Sequence, residues 1–322
     1  MARFKVVISE CYYENVDQET EILRNIDADL VRCSCKTEED VIAAAKDCDA
    51  LICQFAPITR RVIETLDRCK VIVRYAIGVD IIDLKAAEEK GIYVCNVPDY
   101  CIDEVSNHAI ALLMDCARKL TLIAGNAKKG ITEYQAVKPM LRMEGKTLGL
   151  VGFGRIPRCV AHKMQNFGLQ IITYDPYLPD GTAEAVGVKK VSFEDLLRES
   201  DYISVHCPLT EETHHLFNKE AFEKMKDQAV FVNTSRGAVV DEEALEEALR
   251  TGQIGMAGLD VTEKEPITPE HPLLQLDNAV VTPHIAWYTE ESVLALQRMV
   301  AEETARVLTG NPPKHPVNHP AV

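Results

Sequence analysis

The stretch Lys146-Thr147-Leu148-Gly149-Leu150-Val151-Gly152-Phe153-Gly154 constrains this chain more than any other, because an apolar strand there ends in closely spaced glycines and opens a helix at Arg155. A strand that passes this tightly into a helix belongs to a βαβ unit with a parallel sheet. The same alternation extends in both directions. From Phe4 to Val97 the pattern reads as strands at 4–8, 28–33, 50–53, 71–74 and 92–95, with helices at 18–26, 38–46, 59–65 and 83–90 between them. From 146 onward the strands are 147–151, 170–174, 188–189, 202–205, 229–232, 256–259 and 279–281, with helices near 155–167, 192–198, 219–224 and 241–250. The predicted class is α/β with two doubly wound units, and a length of 322 residues suits two domains.

Local chemistry supports several boundaries. Thr37-x-x-Asp40 is a capping-box variant, Ser192-x-x-Asp195 caps another helix, Gly91 closes a helix, and Asp241 and Gly252 bracket one more. A long amphipathic helix over 102–120, with Val105, Ala109, Leu112, Leu113 and Cys116 on its apolar face, is a candidate bridge between domains. A last helix spans 290–309, and the proline-rich tail from Pro312 is expected to be extended and to bury little.

A net charge of −15 excludes nucleic acid and anionic membrane as general partners, so an anionic ligand needs a local cationic pocket. No apolar run approaches the roughly 18 residues of a membrane span, and Met-Ala-Arg-Phe-Lys-Val-Val-Ile enters a strand without a signal core. A cytoplasmic protein is expected. The eleven cysteines are scattered without a Cys-x-x-Cys pair, which reads as reduced thiols and no metal site.

In this setting Gly152 makes the tight turn, Gly154 lets the backbone approach a pyrophosphate, and the helix N-terminus supplies N–H groups. The third fingerprint position is Pro157 instead of glycine, tolerated in a first helical turn. Asp175, closing the next strand about 20 residues on, suits the ribose hydroxyls and favours NAD over NADP. The competing reading is that Asp175 only opens an Asp-Pro turn. His206-Cys207-Pro208, after strand 202–205, falls at the same sheet edge by strand order.

Three further residues suggest chemistry. Arg236 follows an apolar strand and can grip a carboxylate bidentately, with Gly237 leaving its loop uncrowded. His284 follows strand 279–281 behind Pro283 and can act as acid and base. Glu265, in the preceding connection, can orient that imidazole and stabilise its charged form, with Glu263 as the competing carboxylate. A cation, a carboxylate and an imidazole in this order point to reduction of a 2-oxo acid.

With Gly152-x-Gly154, Asp175, Asn233-Thr234-Ser235-Arg236-Gly237, Glu265-Pro266 and Thr282-Pro283-His284 in order, the chain resembles the NAD-dependent D-2-hydroxyacid dehydrogenase family over nearly its whole length. Tyr174-Asp175-Pro176-Tyr177-Leu178-Pro179-Asp180-Gly181, His214-His215-Leu216 and His284-Ile285-Ala286-Trp287-Tyr288 are similar to the branch that contains the C-terminal-binding corepressors and their bacterial relatives. The resemblance implies two lobes with a cleft: a flavodoxin-like substrate domain from 1–100 plus 289–322, and a Rossmann NAD-binding domain over 101–288. It implies Arg74, Ile77, Gly78, Val79 and Trp287 as substrate contacts, the last against a plain reading as core packing. It implies Arg155 and Ile156 at the pyrophosphate, Thr234 and His206 to Pro208 along the cofactor, and Asp260 at the nicotinamide amide. It also implies a homodimer through the helix near 102–120 and a small 2-oxo or 2-hydroxy acid substrate. The alternative is an NAD(H)-sensing interaction protein of the corepressor type with little turnover.

Overall fold

The computed structural model describes residues 2–320; Met1, Ala321 and Val322, at the ends of the expected substrate-domain segments, lie outside the described residues. The chain divides into two compact units, one formed by Met1–Cys101 with Thr289–Val322 and the other by Ile102–Tyr288.

In the first unit, β1 (Phe4–Ile8), β2 (Ala28–Arg32), β3 (Ala50–Cys53), β4 (Val71–Arg74) and β5 (Tyr93–Cys95) form a parallel sheet in the order β2-β1-β3-β4-β5. That is a flavodoxin-like order. β3 and β4 are buried along their whole length, which is why they read as unbroken apolar runs without alternation.

The second unit carries β6 (Thr147–Val151), β7 (Gln170–Tyr174), β8 (Lys189–Lys190), β9 (Tyr202–Val205), β10 (Ala229–Asn233), β11 (Ile254–Leu259) and β12 (Ala279–Val281). Their order is β12-β11-β10-β9-β6-β7-β8, all parallel, so the winding reverses between β6 and β9. A doubly wound sheet opens a crevice at such a reversal, outside the carboxyl ends of its strands. One core packs around Phe217, Phe222 and Phe231 on one face, and another around Leu112, Leu148 and Met256 on the other.

The anticipated caps form. Thr37 and Asp40 make a full capping box, Ser192 accepts the Asp195 amide, Asp241 accepts the Ala244 amide, and Gly252 ends its helix at φ +78°. Two expectations need correction. The helix expected over 102–120 ends at Arg118; Lys119 adopts φ +52° and a second helix, Leu120–Lys128, follows. Asp115 takes up the Thr121 amide at 2.8 Å, which offers the chain a local alternative to continuing the first helix. The tail does not stay unburied. Val317 donates its amide to the Val94 carbonyl at 2.9 Å beside β5. Asn318, 4 % exposed, accepts the Val94 amide at 2.7 Å and donates to the Ile92 carbonyl at 2.9 Å. An extended segment can satisfy a sheet edge, and this one covers β5.

Among the described residues no helix is long and apolar enough to cross a membrane, no acidic, histidine or cysteine cluster could hold a metal ion, and the cysteines are free thiols. Asn318→Ala leaves the Val94 amide and the Ile92 carbonyl without a partner. It is expected to cost about 1–3 kcal/mol in urea unfolding; an unchanged midpoint would show that the tail is only laid on the surface.

Candidate active site

Asn233, at the buried end of β10, shapes the loop that presents Arg236. Its Oδ1 accepts the Ser235 amide at 2.9 Å and the Ser235 hydroxyl at 2.8 Å, while Nδ2 donates to the Arg236 carbonyl at 2.9 Å. Arg236 Nη1 donates to the Ser235 carbonyl at 2.8 Å, which sets the guanidinium close to its own loop. Gly237 is needed for a reason opposite to the expected one. Its surroundings are crowded: a Cβ there would stand 2.0 Å from the Thr262 carbonyl carbon and 2.4 Å from the Glu263 nitrogen. The loop after β11 therefore packs directly on the loop after β10.

That second loop delivers Glu265. Its Oε2 lies 2.7 Å from His284 Nδ1, and its Oε1 accepts the Thr262 amide at 3.3 Å. Glu263, the competing carboxylate, pairs with His215 at 2.8 Å instead. Partial burial pushes the Glu265 pKa up, but the His284 hydrogen bond and charge, the Thr262 amide and the Arg236 guanidinium outweigh it and hold the carboxyl below its ordinary range.

His284 has φ +52°, an unfavourable backbone region for a non-glycine residue, and several bonds impose it. Its amide donates to the Asp260 carbonyl at 2.7 Å. The Asp260 carboxylate, 1 % exposed, accepts the Ile285 amide at 3.0 Å, the Ala286 amide at 2.8 Å and the Thr282 hydroxyl at 2.6 Å. Trp287 is half-buried and donates Nε1 to the His284 carbonyl at 3.1 Å, so it braces the same loop. Nδ1 of His284 is committed to Glu265, which leaves Nε2 as the nitrogen able to exchange a proton.

Across the same sheet edge, Gly152 takes φ +90°, and a Cβ there would press on the His206 and Cys207 backbone at 3.1–3.2 Å. A Cβ on Gly154 would meet nothing within 4 Å. No side chain caps the helix Arg155–Met164 that begins there, and Pro157 is buried in its first turn. Asp175 accepts the Phe153 amide at 2.9 Å and the Tyr177 amide at 3.0 Å, so its carboxylate clamps the glycine turn as well as its own Asp-Pro turn. His206 lies 2.9 Å from the Ser204 hydroxyl. Part of its surface is exposed, yet the protein packed round it disfavours the imidazolium and pushes its pKa down to about 3, leaving the ring neutral.

A sequence model described as the NAD binding domain of D-isomer specific 2-hydroxyacid dehydrogenases matches residues 110–286, over half the chain. The chain belongs to this family. It is 41 % identical over 287 residues to a glyoxylate reductase of Korarchaeum cryptofilum, covering 88 % of this chain and 86 % of that one. It is 40 % identical over 296 residues to a hydroxypyruvate reductase of Thermotoga maritima, covering 91 % and 94 %. A solved D-lactate dehydrogenase from Aquifex aeolicus, complexed with NAD and lactic acid, superimposes with a TM-score of 0.87 at 28 % identity, covering 98 % of this chain and 100 % of that one.

NAD is thus the cofactor of this dehydrogenase, and the residues present fit it. The space over Gly154 is open, the helix behind it has no side-chain cap, and the buried Thr234 hydroxyl makes no hydrogen bond among the described residues. The remaining substrate contacts implied by sequence lie in the first unit. Arg74, at the end of β4, donates to the Gln54 carbonyl at 3.2 Å and the Gly78 carbonyl at 2.8 Å, and stands 3.8 Å from Asp80. Asn96 donates to the Ile77 carbonyl at 2.6 Å, so the Ile77-Gly78-Val79 loop is pinned from two sides.

Sequence reasoning missed the bracing roles of Asn233 and Thr282, and missed His108, whose Nε2 lies 2.9 Å from the Thr282 hydroxyl and 3.4 Å from Asp260. Asn233 and Thr282 lay inside recognisable motifs. His108 is 174 residues from Thr282, and nothing local signals the contact.

The lowered Glu265 pKa carries a sign. Its contribution to stability is complete above the ordinary glutamate value near 4.3 and is lost as pH falls through the folded pKa. The Tm advantage of the wild type over Glu265→Gln should be constant between about pH 5 and 6 and shrink below about pH 4; a difference that widens toward low pH would contradict the assignment.

Proposed function

We propose that this protein reversibly reduces small 2-oxo acids to D-2-hydroxy acids with NADH. The observation that carries the reading is the Glu265–His284 pair at 2.7 Å, with Arg236 in the loop packed against it, on the same sheet edge as Gly152 and Asp175. Bound NADH would supply the hydride for the carbonyl carbon. His284 Nε2 gives a proton to the carbonyl oxygen as the hydroxyl forms, and takes it back in oxidation. Glu265 holds the ring by Nδ1 and fixes its orientation for the transfer. Arg236 grips the substrate carboxylate and polarises the carbonyl beside it.

Asp175 is assigned to the ribose hydroxyls. Arg155 and Ile156 are assigned to the pyrophosphate, and Thr234, His206, Cys207 and Pro208 to the rest of the cofactor. Arg74, the amides of Ile77, Gly78 and Val79, and Trp287 are assigned to substrate. The Asp260 carboxylate already accepts three hydrogen bonds on its two oxygens, which limits any nicotinamide contact to a single further hydrogen bond. Glyoxylate and hydroxypyruvate are the first substrates to try, because the two relatives named for them share about two residues in five with this chain.

NADH oxidation measured with glyoxylate, hydroxypyruvate, pyruvate and 4-methylthio-2-oxobutyrate tests the reading. His284→Ala should lower kcat by roughly 10²–10⁴ with NADH affinity retained. Arg236→Ala should raise KM for the oxo acid and lower kcat by about 10²-fold or more. Failure to turn over any of the four acids, in protein that binds NADH, overturns the proposal.

The protein is also proposed to be a homodimer through the region of the helix near 102–120. The apolar side of Ile102–Arg118 is spent on its own unit, where Val105, Ala109, Leu112, Leu113 and Cys116 are buried. The exposed apolar residues follow it: Leu120 at 56 %, Tyr134 at 66 % and Leu141 at 52 %. Light scattering should return twice the 35.9 kDa chain mass, and Leu120→Glu with Tyr134→Glu should return one chain mass; a wild-type monomer would end this part of the proposal.

A further inference from the structure

Glu263 stands two residues before Glu265, and its contacts tie their shared loop to two other segments of the second unit. Its Oε1 lies 2.8 Å from His215 Nε2 and accepts the Glu242 amide at 3.4 Å. Glu242 is the first residue of the helix Glu242–Thr251, and its own Oε1 accepts the Glu263 amide at 2.8 Å. Each glutamate thereby satisfies the backbone N–H of the other. This is the reciprocity of a capping box, made between segments 21 residues apart. The second Glu242 oxygen lies 3.3 Å from His271 Nε2. Because the Leu273 amide donates to His271 Nδ1 at 3.4 Å, the ring proton belongs on Nε2 and points to Glu242. On its inner side the loop rests on Gly237, where not even a Cβ fits.

We propose that Glu263 is a positioning residue for the Glu265–His284 pair. Its exchange with Glu242 and its contact with His215 hold the 262–265 turn so that Glu265 reaches His284. A carboxylate 32 % exposed, paired with a histidine 36 % exposed, adds little to global stability. Its effect should fall on alignment, where a displacement of about 1 Å can cost up to 10²-fold in rate. This inference rests on the acid and base roles proposed above for Glu265 and His284.

The test compares steady-state reduction of glyoxylate or hydroxypyruvate by Glu263→Ala, Glu263→Gln, Glu265→Gln and the double variant Glu263→Ala/Glu265→Gln, with Tm measured for each. Glu263→Ala should lower kcat about 10-fold while both KM values stay within about twofold. Glu263→Gln should restore most of the rate, since its amide oxygen still accepts from Glu242 and His215. The double variant should match Glu265→Gln, because the positioning acts through Glu265 alone. His215→Ala, which leaves the Glu242 exchange intact, should lower kcat in the same direction by less. Unchanged kcat in Glu263→Ala, or losses that multiply in the double variant, overturns the inference and leaves the acid–base reading standing. Wild-type kcat in Glu265→Gln removes that reading, and this inference with it.

Discussion

The site depends on one buried carboxylate. Asp260 lies just beyond β11, almost sealed from solvent, and a charge in that position is costly unless donors surround it. The donors come from the far side of β12: the Ile285 and Ala286 amides and the Thr282 hydroxyl. A buried acceptor thereby closes the loop into one shape, and His284 is carried in that loop at a backbone angle it would not otherwise hold. The parallel register of Leu259 with Val281 brings the two strand ends level, so the geometry of the imidazole begins with sheet pairing.

The remaining parts follow from the same sheet. Its winding reverses between β6 and β9, and loops from the carboxyl ends on both sides of the reversal carry the glycine turn, Asp175, Arg236, Glu265 and His284. Against a chain charge of −15, the Arg236 guanidinium is a local exception, and its field helps keep Glu265 ionised. Cation, carboxylate and imidazole thus share an electrostatic setting built by three adjacent loops. The tight contact at Gly237 is where two of those loops are pressed together.

Much of this was legible in the chain itself. Strand ends fell within a residue or two of their observed places because buried parallel strands are short apolar runs bounded by turn residues. Thr37, Ser192, Asp241 and Gly252 announced helix ends because capping is a contact over three or four residues. Where local signals ran out, so did the reading. Lys119 carries no mark of a left-handed residue, and the tail carries none of the β5 edge it covers. Gly237 was recognised as important for the wrong reason, since the backbone it touches lies 25 or more residues away along the chain.

By itself the sequence determined the α/β class, the order of the motifs and the family, because each rests on short-range patterns of apolar residues, glycines and caps. Only the tertiary structure decided which carboxylate meets which imidazole. Glu263 and Glu265 sit two residues apart with the same chemistry, yet one pairs with His215 across 48 residues and the other with His284 across 19. No local preference separates them. The choice is made by where β10, β11 and β12 release their loops and by the helix N-terminus at Glu242, which takes Glu263 and leaves Glu265 to the histidine.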